Sequence, residues 1–521
     1  VSEALLIRDL VFVFEGIDGQ FVRFDPARDA FHMPAGVCPG VPLSTRGLVA
    51  RLGELGWLYT RVAGFLERPP DALPSLVREA LCAALRDEIT VYFGELAALG
   101  AQVNPAPGGD DDASQAGLTL RRLWVWAQQP LAKLRLMAAL VDSAGDLRGG
   151  ALASAVQLHA VHGDPAVAHF SQRVLGRLCV RLVEMTRAWL LAGELTDDHG
   201  EFFIQRHTVE DSRMWADRFT LRESMLPSFV GRELAAEVLL IGKSINFIRS
   251  SCGDREWLMT HDAAPADVGT GDGLVADLRA VTAAVGPQVN RRLLHLLFTD
   301  FHLLDHLQAL KRYLLLGQGD FITLLMETLA PELDRPAARQ MHHTLAACLE
   351  GALRSSNAQF ETKDVLERLD VHCDPSGDGV EDSGWDVFSL TYHVGEPLSA
   401  VVTADHMQTY LRVFSFLWRL RRVEFTLSNT WCRHMTAANK LRVGPPLPRL
   451  LAAHPVMRTV LHKCHLLRNE MLTFSSTLMS YVMFEVLEIA WAELTKRLKA
   501  ATSMADITKA HDQYLATILT K

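Results

Sequence analysis

Apolar residues recur along this chain every three to four positions over long stretches, the period of one face of an α-helix. Pro and Gly punctuate the stretches, which predict helices over Leu43–Leu66, Ser75–Leu99, Leu118–Trp126, Lys133–Ala144, Gly150–His162 and Pro165–Ala192. Strand-like alternation is confined to Leu10–Phe14 and Asp386–His393. The first of these runs into GIDG and a second extended piece, QFVRF, so a small β-hairpin-like element is expected near the N-terminus. The fold class predicted is all-α, an elongated series of helical bundles.

Three segments read as loops: 103–117, 260–273 and 372–384, rich in Pro, Gly and acids. The second separates two strongly helical regions and is the best domain boundary. The expected organisation is a first domain over 1–252, a linker over 253–274 and a second domain over 275–521. No fixed-period repeat is visible, which disfavours a solenoid of short units.

Composition narrows the function classes. The 521 residues are 49% hydrophobic and 22% charged, the balance of an ordered globular chain. A formal net charge of −9 argues against broad nucleic-acid binding, which needs a basic surface. The eight cysteines are scattered without a Cys-x-x-Cys pair, as expected for thiols used as small hydrophobes in a reducing compartment. No run of 18 uncharged apolar residues occurs, so no membrane insertion is expected. The sequence opens on Val1 already in an apolar pattern, and the helical pattern of Lys509–Thr520 runs to the last residue. Both ends therefore read as cut from a longer chain.

Several motifs resemble catalytic or binding signatures and fail on spacing. LLIGKSINFIR (239–249) contains the Gly-Lys-Ser of a phosphate-binding loop, but Glu237 stands where the first glycine is needed. Leu234, Val238, Ile241, Ile245 and Ile248 form a helical stripe through it, and a continuous helix offers no free N–H groups at its middle. HLLDH (302–306) places two histidines at i, i+4, as in zinc sites, yet Asp305 is short for a general base and no third ligand follows. Leu303, Leu307, Leu310 and Leu314 put His306 at the edge of a core stripe. HKCH (462–465) lacks a partner pair and reads as a structural histidine with a buried thiol. LGQGDF (316–321) lacks a third glycine and follows a helix, so it reads as a helix end and tight turn. No nucleophile elbow is present. No enzyme, no cofactor and no metal is expected.

One surface feature remains. In HMQTYLRVFSFLWRLRRVEF (406–425), Leu411, Phe414, Trp418 and Phe425 share a helical face flanked by Arg412, Arg419, Arg421 and Arg422. It reads as a solvated basic flank over a buried stripe, or as a docking surface for an acidic partner. Lys311, Arg312 and Tyr313 similarly precede the Gly317–Gly319 turn.

The blocks LLIRDLVFVFEGIDGQFVRFD (5–25), LTLRRLWVWAQQP (118–130), RMWADRFTLRESMLPSF (213–229), LLIGKSINFIR, LQALKRYLLLGQGDFITLLME (307–327) and SGWDVFSLTYHV (383–394) resemble, in collinear order from end to end, the gamma-tubulin complex proteins, the grip-domain family. GIDG and GWDVFSLTYHV suit the component 3 branch better than component 2. The resemblance implies an N-terminal grip domain that packs laterally on other complex proteins, component 2 above all. It implies a C-terminal grip domain that binds gamma-tubulin in a ring template for microtubule nucleation at centrosomes and spindle poles. It further implies small adaptor proteins engaged through an N-terminal extension that this sequence does not contain, and bundle-closing helices beyond Lys521. Candidate gamma-tubulin contacts, chosen for charge and placement, are Lys311, Arg312, Tyr313, Gln318, Asp320, Arg412, Arg419, Arg421 and Arg422. Candidate lateral contacts are Trp57, Tyr59, Arg61, Trp124 and Trp126. Composition alone equally allows a helical-rod subunit of a vesicle-tethering complex, against which the quoted blocks argue.

Overall fold

The computed structural model describes residues 2–34, 40–68, 74–103, 118–208, 214–254, 272–336, 339–373, 383–443 and 455–520. Most of the three predicted loops and of the predicted linker lies outside them (104–117, 255–271 and 374–382), while His372 and Cys373 of the third loop are strand. Among the described residues helix dominates, and the β-strands form three two-stranded antiparallel ladders, with one isolated bridge between Pro336 and Ser383. The all-α expectation holds. The chain forms two compact units, the first of Val1–His207, Phe219–Asn246 and Trp257–Gly286, the second of Thr208–Arg218, Phe247–Glu256 and Pro287–Lys521.

The first unit opens with a correction. Leu10–Phe14 is not a strand but the end of helix α1, Glu3–Phe14. Leu6, Ile7, Leu10, Val13 and Phe14 are all buried, and their i, i+1, i+4, i+7, i+8 spacing outweighs the local β-propensity of LVFVF. The hairpin lies later than expected, with β1 (Arg23–Asp25) antiparallel to β2 (Ala30–His32) and Phe24 opposite Phe31. Gln20–Val22 stays out of the ladder because its amides turn inward onto Asp9. The buried Asp9 carboxylate accepts from Phe21 N–H at 2.9 Å, Val22 N–H at 2.8 Å and Gln20 N–H.

Helix α2 (Leu43–Glu67) buries Val49, Leu52, Leu55, Leu58, Val62 and Phe65. Gly56 on this face lets α1 approach so closely that a Cβ there would lie 2.0 Å from the Val13 carbonyl oxygen. Helix α3 spans Leu76–Val103, and α4 runs unbroken from Leu120 to Ala144. Two separate helices were expected here because Pro130 interrupts the pattern. Pro130 instead sits on the buried stripe Leu123, Ala127, Pro130, Leu134, Met137, Val141, whose burial overrides proline's cost of about 3 kcal/mol. Helices α5 (Gly149–Ala160) and α6 (Pro165–Ala192) pack together, and α6 has the ends its sequence predicts. The Asp164 side chain accepts from Ala166 N–H, Pro165 begins the helix, and Gly193 ends it at φ 64°. A buried acid from outside caps α3. Glu201 accepts from Leu76 N–H at 2.8 Å and from the Ser75 hydroxyl, supplying negative charge to the helix start. Strands β3 (Ile204–Arg206) and β4 (Phe219–Leu221) pair beyond it, and α7 (Arg232–Ser250) follows.

Beyond α8 (Asp272–His295), the second unit carries α9 (Leu303–Ala309), α10 (Gly319–Leu333), α11 (His342–Ser355) and a ladder of β5 (Leu369–Cys373) with β6 (Phe388–Tyr392). The predicted strand 386–393 is β6. Its inward residues Phe388, Leu390 and Tyr392 are buried, and Phe388 packs 4.8 Å from Trp418. Trp418 lies on α12 (Ala404–Val443), which returns through α13 (Pro455–Tyr481). Helices α14 (Ile489–Ala500) and α15 (Met504–Thr520) complete the unit. Between α9 and α10 the chain reverses with Leu316, not a glycine, in the left-handed region (φ 54°). The Gly317 and Gln318 N–H groups close the turn onto the Lys311 and Arg312 carbonyls. Segments of π-helix occur at Leu296–Asp300, Leu310–Leu314 and Val482–Glu488.

Candidate binding surfaces

The Gly-Lys-Ser tripeptide lies inside α7, and the stripe Leu234, Val238, Ile241, Ile245, Ile248 is buried as predicted. Gly242 has a packing role that spacing could not reveal. A Cβ there would fall 2.0 Å from Cε2 of Trp189, a fully buried indole whose Nε1–H donates to the Val238 carbonyl at 2.9 Å. The glycine admits a tryptophan, and the backbone around it is helix.

His306 is a core residue held on both sides. Its Nδ1 lies 2.5 Å from the Tyr392 hydroxyl, its Nε2 lies 3.3 Å from Asp364, and burial lowers its pKa. His302 is exposed and in the left-handed region, outside the helix that carries His306. In HKCH the histidine His465 faces His434 of α12 at 5.8 Å, but Cys464 is exposed, not buried. The outward side of α13 displaces the thiol.

The candidate gamma-tubulin contacts separate into three groups. Tyr313 is a correction: it is fully buried against Phe321, burial pushes its hydroxyl up to about 12, and no partner can touch it without opening the unit. Lys311, Arg312, Arg421 and Arg422 are reached from the surface but already paired. Lys311 Nζ lies 2.7 Å from Glu488 and over the Trp491 ring, Arg312 meets Glu361, Arg421 meets Glu424 at 2.8 Å, and Arg422 meets Asp386 at 3.0 Å over Trp385. Asp320 is exposed and accepts from Asn357 N–H at 3.0 Å, which lowers its pKa, and Gln318 is half-buried at the same turn. Arg412 and Arg419 are exposed and have no charged partner among the described residues. They sit two turns apart on α12, on the side turned away from the buried Phe414 and Trp418.

The candidate lateral contacts form part of a web in the first unit. Trp57 Nε1–H donates to Asp29 at 3.0 Å, and Arg61 lies over Trp57 while bonding Asp142 at 2.7 Å. Tyr59 meets Phe93 edge-on, Trp126 stacks on Phe14, and Trp124 is half-buried. All but Arg61 are partly covered, so their aromatic rings serve the unit first.

Sequence reasoning missed one surface. Along α13 the residues Val460, Cys464, Leu467, Met471, Phe474, Leu478 and Tyr481 recur at alternating three- and four-residue steps, all exposed but the half-buried Leu478. Leu467 is 59% exposed and Phe474 70%. This stripe and a second one against α12 make Thr459–Ala500 the one span among the described residues long and apolar enough to cross a membrane. The stripe was visible in the sequence as a second apolar face on one helix.

The arrangement is that of an all-α protein of helical bundles, without a cluster of three or more metal-ligating side chains among the described residues. The particular family follows from comparison with known proteins. A model described as the gamma tubulin complex component N-terminal region matches residues 7–300, and the C-terminal counterpart matches 303–521. Gamma-tubulin complex component 3 of Arabidopsis thaliana is 41% identical over 540 residues, covering all of this chain and 63% of that protein. The human component 3 is 38% identical over 532 residues, covering all of this chain and 57% of the relative. Spindle pole body component alp6 of Schizosaccharomyces pombe is 32% identical over 547 residues, again across the whole chain and 63% of the relative. The chain belongs to the gamma-tubulin complex component family. It spans roughly six-tenths of the length of these curated relatives.

Proposed function

We propose that the chain is a non-enzymatic scaffold subunit that binds gamma-tubulin and packs laterally on other gamma-tubulin complex components to template microtubule nucleation. The observation that carries this reading is the match to both family regions in sequence order, with similarity to component 3 proteins across the whole chain. The N-terminal part, 1–252, takes the lateral contacts, with component 2 as the neighbour, and 275–521 takes gamma-tubulin, with 253–274 between. Arg412 and Arg419 are the residues best suited to an acidic partner, because neither has a charged partner among the described residues. Nucleation then works by proximity: subunits held in a ring have already lost the entropy that free subunits must lose on meeting. The relatives' names support a place at spindle poles and microtubule-organising centres.

Co-sedimentation with purified gamma-tubulin tests this. Binding by the chain is expected, weakened by Arg412→Glu with Arg419→Glu. Absence of binding by the unaltered protein sinks the proposal, and binding indifferent to the reversals sinks only the residue assignment.

A further inference from the structure

We propose that His434 of α12 and His465 of α13 together bind a zinc ion that clasps the two helices. Both helices belong to the second unit, and Arg468 of α13 lies over the Trp431 ring of α12 at 5.6 Å. His434 stands three residues past Trp431 and His465 three before Arg468, so the histidines form the next rung of the same antiparallel contact. Their rings meet edge-on with centroids 5.8 Å apart. Neither imidazole has a hydrogen-bond or ion-pair partner among the described residues, so no protein group there competes for the ring nitrogens.

The spacing fits one shared ion. A zinc–imidazole bond of about 2.0–2.1 Å puts the ring centroid about 3.2 Å from the metal. Two such rings stand about 5.2 Å apart at the tetrahedral angle, and about 6.4 Å apart if they face each other across the ion. The observed 5.8 Å lies between these limits. His434 is exposed and His465 half-buried, so a turn of the freer His434 ring closes the site without moving either helix. Each neutral imidazole gives one nitrogen lone pair. Water fills the other two positions, since no group of three or more metal-ligating side chains occurs among the described residues.

The place of the pair gives the ion a role. From Arg419 to Thr436 on α12 and from Thr459 to Phe474 on α13 no residue is buried, so this two-helix arm has no core of its own. Helices without a core are marginal, and a metal bridge supplies the cross-link that burial does not. Arg433 and Lys463 flank the pair in sequence and repel a cation. With half the ligands of a structural zinc site, the dissociation constant should be about 1–100 μM. The adjoining Cys464 is exposed and is a rival ligand for the same ion. The inference concerns the second unit alone and does not depend on gamma-tubulin being the partner.

Calorimetric titration of the full chain with zinc chloride tests this. Saturable binding is expected, reversed by a chelator and weakened at least about tenfold by His434→Ala and by His465→Ala alike. Neither ring is buried, so the melting temperature without zinc should be the same in both variants as in the unaltered chain. Cys464→Ser should bind zinc as the unaltered chain does, and cobalt in the site should show no thiolate charge-transfer band. Amide exchange in 426–436 and 459–474 should slow when zinc is added, and should not slow in the histidine variants. An unaltered chain that binds no zinc overturns the proposal, as does binding that survives either histidine replacement. Binding lost with Cys464→Ser makes the site a thiolate one and overturns it too. Zinc that binds without slowing exchange in both helices overturns the clasp.

Discussion

Replacing Gly242 by Ala tests the structural reading of the Gly-Lys-Ser segment. In an exposed helix this change stabilises by about 1 kcal/mol, because glycine has more backbone freedom to lose. Here the added methyl would lie 2.0 to 2.5 Å from three atoms of the Trp189 indole, and contacts below 3.0 Å force a displacement. Trp189 cannot swing outward, being fully buried, bonded to the Val238 carbonyl at 2.9 Å and edge-on to Phe219 at 4.8 Å. Overpacking costs about 1–3 kcal/mol, and stretching the indole N–H from its buried acceptor costs about 1–3 more. Against the helix gain, the net loss is about 1–5 kcal/mol. Urea unfolding followed by tryptophan fluorescence should show the transition shifted to lower denaturant, with exchange protection falling in α6 and α7. A stabilised or unchanged variant refutes the packing argument. Calorimetric titration with guanosine or adenosine triphosphate should give no heat of binding for wild type or variant. Nucleotide binding that disappears with Gly242→Ala would restore the phosphate-loop reading rejected here.

Two further outcomes follow from buried polar groups. Asp9→Asn leaves one carbonyl oxygen where two carboxylate oxygens accept three amides, so the first unit should lose about 2–3 kcal/mol and the amides of Phe21 and Val22 should exchange faster. His511, bonded to the Tyr410 hydroxyl at 3.0 Å, has its pKa lowered to about 3, chiefly by burial and secondly by His406. The folded state therefore keeps it neutral while the unfolded chain protonates below about 6.5, so its stabilising effect is whole above that pH and lost progressively as pH falls toward 3. Between pH 7.5 and 5 the loss should be about 2 kcal/mol, read from urea midpoints, and His511→Gln should remove that part of the pH dependence.

Helix positions were legible wherever one apolar face repeated over several turns, as α6 shows with matching ends at Pro165 and Ala192. The errors have a common cause. At Leu10–Phe14 and across Pro130 a local feature, β-branched residues or a proline, was weighed above a stripe extending past it, and long-range burial decided both. The ladder β3–β4 was unreadable, and β1–β2 legible only as a hairpin lying later than expected, for the opposite reason. Three-residue strands carry too few alternations to show a period, and their register depends on contacts such as Asp9 with Val22 across thirteen residues.

Candidate contacts fared differently because sequence gives a residue's charge without giving its neighbour. Lys311 and Arg312 stand beside an aromatic and a tight turn, a reasonable docking site on paper. Their counter-charges come from Glu488 and Glu361, 177 and 49 residues away, where no spacing rule reaches. A partner seeking those cations must break an existing pair or use the apolar stems beneath them, and an exposed pair of this kind contributes only about 0–1 kcal/mol. Such pairs fix orientation inside the unit more than they hold it together. Arg412 and Arg419 are different: neither has a charged partner among the described residues. They therefore offer charge without the breaking of an existing pair, which makes their reversal a sharper test than reversal of Lys311 or Arg312.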